Sequence, residues 1–194
     1  MATTHLLYLH GFRSSPQSTK ARTMAQYVQT QHPHVTWFCP QLPPSPQAAM
    51  QLVMAHVQDW PSAQMAVIGS SLGGYYATWV AHHKQCKAVL LNPAVWPDHS
   101  LEQYIGEHTH WHDPAEAFFF KREYIAELRD LALHEHAAPA AQLGIFAKGD
   151  EVLDWRQMVA RYPQAEQVIL EGGDHALSDF DSHLSHILDF LDLA

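Results

Sequence analysis

Residues 69–77 read "GSSLGGYYA", and the apolar run "QMAVIG" (64–69) leads directly into them. The pattern is G-x-S-x-G, with Ser71 at its centre between Gly69, Ser70, Leu72 and Gly73. A buried strand that turns this sharply into a helix forces its central residue into unfavourable backbone geometry. The flanking positions must be small, because side chains there would meet neighbouring backbone. The turn leaves an exposed hydroxyl at a helix N-terminus, where the dipole favours developing negative charge. Ser70 points aside in this reading and packs or hydrogen-bonds. The helix that follows is "GYYATWVAHHK".

Outward from this turn, short apolar runs alternate with helical stretches. The runs are 5–10, 35–39, 64–69, 87–92, 143–148 and 166–172. Most are continuous instead of alternating, which suits strands buried on both faces of a parallel sheet. Helices are predicted over 17–31, 46–59, 73–84, 154–161 and 177–193. In the last, Leu177, Phe180, Leu184, Ile187, Leu188 and Leu191 recur at helical spacing and form a packing face. The expected fold is a single α/β domain, a reduced doubly wound parallel sheet of about six strands. Residues 93–142 break the rhythm. They are too many for a crossover and too many for a structureless loop, so a mostly helical cap or lid insertion is expected.

Ligands bind beyond the carboxyl ends of the strands in such sheets. There the chain presents "HGFRSSP" (10–16), "GSSLGG" (69–74), "GDEVLD" (149–154) and "GGDHAL" (172–177). A serine, an acid and a histidine follow in the order found in α/β-hydrolases. His175 is set apart from the other histidines by its place after a Gly-Gly turn, and it is the expected base for Ser71. Asp150 is the expected orienting acid, with Glu151 and Asp154 as rivals. Asp154 also suits a helix N-cap. Backbone N–H groups of Leu72 and Phe12 are the expected oxyanion donors. His10 is read as shaping the loop that carries Phe12.

Composition narrows the field. The net charge is −9 with only 11 Lys and Arg, scattered, which argues against nucleic acid. An apolar fraction of 47% and six tryptophans support a globular core. No run reaches the length of a membrane span, the N-terminus has no basic leader, and a cytoplasmic location is expected. Cys39 and Cys86 lie in or beside apolar runs, the pattern of buried structural thiols.

The stretches "YLHGFRSSPQSTKA", "GSSLGGYYATWVA", "LLNPAV", "KGDEVLDWRQ" and "EGGDHAL" resemble the α/β-hydrolase superfamily, and within it the small YqiA-type bacterial esterases. The resemblance covers most of the chain except the insertion. It implies hydrolysis of a small-molecule carboxylic ester or acyl thioester without a cofactor, with the family roles on Ser71, Asp150 and His175. A non-catalytic relative that binds a ligand or partner is the alternative.

The insertion is rich in aromatic residues. Trp96, Tyr104, Trp111 and Phe119, with Phe118, Phe120 and Tyr124, either line an acyl pocket or pack the cap onto the sheet. "HTHWHD" (108–113) puts His108, His110 and His112 at alternate positions. No paired ligand spacing accompanies them, so the expectation is a solvated His-rich loop and no metal site.

Overall fold

In the computed structural model, residues 2–133 and 141–193 are described. They hold eight strands in two sheets. Six strands are parallel throughout: β1 (His5–Leu9), β2 (Thr36–Phe38), β3 (Met65–Ser70), β4 (Lys87–Leu91), β7 (Gln142–Ala147) and β8 (Glu166–Leu170). The other two, β5 (Gly106–Thr109) and β6 (Ala117–Phe120), pair antiparallel. The large sheet runs β2-β1-β3-β4-β7-β8. Strand order reverses between β1 and β3, so the loops after them flank a crevice.

Six runs foreseen as strands are the six strands of this sheet. Each face of the sheet buries alternate residues. Leu7, Leu9, Val67, Leu90 and Phe146 pack under α2 (Pro46–Val57), α3 (Leu72–Lys84), α5 (Glu123–Asp130) and α6 (Trp155–Arg161). Leu6, Tyr8, Ile68, Val89 and Ile145 pack under α1 (Thr19–Gln31) and α7 (Leu184–Phe190). With helices on both faces, neither side of a central strand meets water. That is why its sequence shows no polar alternation. Cys39 is half-buried and Cys86 buried, both free, and burial pushes each thiol up to about 12.

Two segments differ from expectation. The final helix is shorter than 177–193: Leu177 sits at φ 49°, Phe180–His183 is a 3-10 turn, and only Leu184–Phe190 is α-helical. A left-handed leucine cannot open an α-helix, although its apolar spacing still serves packing. The insertion is mixed, not mostly helical. It has the single turn α4 (Pro97–Ser100), the β5–β6 hairpin and α5, and its residues 134–140 lie outside the described residues. Asp113 closes the hairpin, accepting from Ala115 N–H through its side chain and from Glu116 N–H through its carbonyl. The aromatic run Phe118–Phe120 favours a strand.

The insertion is fastened through α5 to the start of α2 and to α3. Glu127 on α5 accepts from the Ser45 hydroxyl (2.6 Å) and Gln47 N–H (3.0 Å) at the start of α2. Tyr75 donates to the Leu128 carbonyl (2.7 Å). No helix among the described residues is long and apolar enough to cross a membrane.

Candidate active site

Ser71 sits where β3 enters α3, with φ 56° and ψ −121°, the strained turn expected from its flanking glycines. The tightness is literal. A Cβ at Gly69 would lie 2.1 Å from the Gly73 carbonyl oxygen, and one at Gly73 would lie 2.0 Å from the Leu9 carbonyl oxygen. Both obstacles are backbone and cannot swing aside. Ser71 N–H donates to Leu91 O (3.0 Å), and its carbonyl accepts from Gly74 and Ala94 N–H, so the turn is fixed from β4 as well.

The loops after β7 and β8 bring two further groups to this turn. His175 Nε2 lies 3.0 Å from Ser71 Oγ, and His175 Nδ1 lies 2.8 Å from Asp150 Oδ2. The Asp150 side chain is wholly buried, while its Oδ1 accepts from Val152 and Leu153 N–H, each at 2.8 Å. Both oxygens are therefore engaged, and the one facing the imidazole is aimed by the other. An ionised carboxylate only accepts, so it places the ring proton on Nδ1 and turns the Nε2 lone pair toward Ser71.

The rival carboxylates have other partners. Glu151 accepts the backbone N–H of His175 (3.0 Å). Asp154 caps α6 through Arg156 N–H. Asp174 accepts from the Ser178 hydroxyl and N–H, and these bonds hold its carboxyl below the usual range.

On the opposite side lies the loop after β1. A Cβ at Gly11 would stand 3.2 Å from Ser71 Cβ and press on it, whereas glycine lets the backbone come near without displacing Ser71. The N–H groups of Phe12 and Leu72 donate to no group among the described residues. Both residues border the same cavity as Ser71 and His175. His10 is buried, 4% exposed, and shapes the loop as expected. Its Nε2 accepts from Leu42 N–H (3.0 Å), which leaves Nδ1–H to donate to Gly11 O (2.9 Å). Burial lowers its pKa to about 4.

The cavity beside Ser71 measures about 360 Å³. Tyr104 and Trp111 line it, together with Phe12, Leu72, Leu101 and Leu153. Trp96 and Phe119 do not. Trp96 is 50% exposed and lies beside His99, and Phe119 is 52% exposed. Alternation along β6 explains Phe119: its neighbours Phe118 and Phe120 turn inward to the Phe12 ring, at 6.0 and 5.1 Å between centroids. The Phe12 ring, which the sequence reading left unused, is the hub on which the insertion packs. Of the three alternate histidines only His108 lies in β5, where its Nε2 meets the Tyr104 carbonyl. Among the described residues no three His, Cys, Asp or Glu side chains converge to hold a metal.

Asn92 was missed at the sequence level. It follows β4, is 0% exposed, and adopts φ 40°. Its Nδ2 donates to the carbonyls of Asp174 (3.0 Å) and His175 (3.3 Å), and its Oδ1 accepts from Ala147 N–H (2.8 Å). One amide thus joins the ends of β4 and β7 to the loop carrying His175. The available signal was an asparagine directly after a buried strand at the sheet's ligand end, since asparagine tolerates left-handed backbone.

Several solved structures share this architecture. Mouse α/β hydrolase domain-containing protein 10 superposes with a TM-score of 0.70 at 18% identity, over 98% of this chain and 90% of that one. Est1E from Butyrivibrio proteoclasticus gives 0.71 at 13% identity, over 98% and 89%. A structure of the metagenome-derived lipolytic enzymes LipS and LipT gives 0.72 at 17%, over 100% and 96%. At such identities the likeness speaks for the fold, which is that of the α/β-hydrolases. Residues 5–192 match the family described as UPF0227, an uncharacterised protein family, and the chain is therefore a UPF0227 member built on the α/β-hydrolase fold.

Proposed function

We propose that the chain is a serine hydrolase that cleaves carboxylic esters, or acyl thioesters, through an acyl-enzyme on Ser71. The observation that carries this reading is the continuous relay Asp150–His175–Ser71, with 2.8 and 3.0 Å links, at the edge of a largely apolar cavity. His175 Nε2 takes the Ser71 proton as Oγ attacks the acyl carbon. The oxyanion that forms accepts from Leu72 and Phe12 N–H, with the N-terminus of α3 adding its dipole. His175 then gives its proton to the leaving group. A water activated by the same imidazole releases the acid, and Ser71 regains its proton. Asp150 stabilises the imidazolium formed in both halves of the cycle. The description of one neighbouring structure, that of the lipolytic enzymes LipS and LipT, agrees with this chemistry.

A purely ligand-binding relative would have no use for the relay. The deciding experiment compares wild type with Ser71→Ala on a short p-nitrophenyl ester, alongside fluorophosphonate labelling. Hydrolysis and labelling that both vanish in Ser71→Ala are expected. Equal turnover by the two proteins sinks the reading.

A further inference from the structure

Arg13 is the sole lysine or arginine among the described residues bordering the cavity, in a chain whose net charge is −9. It directly follows Phe12 and sits at φ 60°, a conformation uncommon for a side chain of this size. Its Nε donates to the Thr109 carbonyl (2.9 Å), and its guanidinium lies 4.1 Å over the Trp111 ring. Nη2 makes only a long 3.5 Å contact with Thr109 Oγ1, and Nη1 has no partner among the described residues. No carboxylate among the described residues forms an ion pair with it. Glu151, which borders the same cavity, accepts the His175 N–H instead.

A guanidinium anchored at Nε and stacked on an indole has little freedom left to lose. Its terminal edge is preorganised for a planar anion, above all a carboxylate. A mere latch for the hairpin is already complete in the Nε bond and in the Trp111 N–H donated to Arg13 O (2.8 Å). The terminal donors remain over. Within this cavity the Arg13 cation offsets the Glu151 carboxylate, in a chain whose overall net charge of −9 repels anions.

We propose that Arg13 selects substrates that carry a free carboxylate beside the scissile ester, such as hemi-esters of short dicarboxylic acids. The inference rests on ester hydrolysis at Ser71. It is tested by comparing p-nitrophenyl hemiglutarate with p-nitrophenyl pentanoate, which share a five-carbon acyl chain and differ in the terminal charge. Ser71→Ala supplies the background, including spontaneous hydrolysis of the hemi-ester. In wild type, kcat/KM for the charged ester is expected to exceed that for the neutral one by about tenfold at low salt. The ratio should shrink as sodium chloride rises, a readout that needs no variant. Arg13→Gln should bring the ratio to about one or below, and Arg13→Lys should keep part of it. A wild-type ratio at or below one, or a ratio unchanged in Arg13→Gln, overturns the proposal while leaving Ser71 chemistry intact. Turnover of neither ester above the Ser71→Ala background removes both readings together.

Discussion

Replacing Asn92 tests whether one buried amide holds the candidate base in place. In Asn92→Ala the Ala147 N–H loses its acceptor and stays buried, at a cost of about 1–3 kcal/mol. The carbonyls of Asp174 and His175 lose their donor, each worth roughly 1 kcal/mol net. Alanine held at φ 40° adds about 1 kcal/mol of backbone strain. The sum is about 4–6 kcal/mol. Asn92→Gly removes the same hydrogen bonds without the strain and should lose about 1 kcal/mol less. The assay is urea unfolding followed by tryptophan fluorescence and circular dichroism, with midpoints compared at constant m. Ester turnover measured under native conditions should fall in both variants, because the loop carrying His175 loses its tie to β4. A loss below about 1 kcal/mol in Asn92→Ala refutes the reasoning, and so does equal stability of the Ala and Gly variants.

Two more outcomes follow from the site. Burial lowers His10 to about 4 from 6.5, so its folded form binds a proton less readily than its unfolded form. Its contribution is fully present above pH 6.5 and is lost as pH falls toward 4, about 3 kcal/mol in all. The stability gap between wild type and His10→Asn should therefore narrow over that window, and a gap constant from pH 7 to 4 contradicts it. Asp150→Asn keeps an acceptor for Val152 and Leu153 N–H but turns an amide donor toward His175. That holds the imidazole in the wrong tautomer, and kcat should drop by about 10³–10⁴-fold in stopped or continuous ester assays.

Much of this molecule was legible before folding, because the readable features are local. Continuous apolar runs specify strands covered on both faces. Glycines at 69 and 73 specify a turn in which a Cβ would strike backbone. Asp150 and His175 could be chosen because each stands just past such a run, where this fold assembles its sites. Glu151 and Asp154 stayed rivals to Asp150 on position alone. Which of these carboxylates meets the imidazole depends on turns of one or two residues, and the Asp150 Oδ1 bonds to Val152 and Leu153 decide it.

The insertion was the least legible part. Its aromatic content announced packing or a pocket, but the side that each ring faces depends on strand alternation within a hairpin whose turn is set by Asp113. That alternation sends Phe118 and Phe120 to Phe12 and leaves Phe119 outside. Trp111 and Arg13 are 98 positions apart and meet only because the hairpin folds back over the loop after β1. Asn92 joins three strand ends and has no neighbour in sequence that reveals them. The sequence by itself determined the sheet, the elbow and the identity of Ser71, since those follow from burial and steric limits along the chain. Only the tertiary structure decided which bonds aim that acid, and which aromatic rings and which buried amide surround that serine, because those contacts join residues that chain distance leaves unrelated.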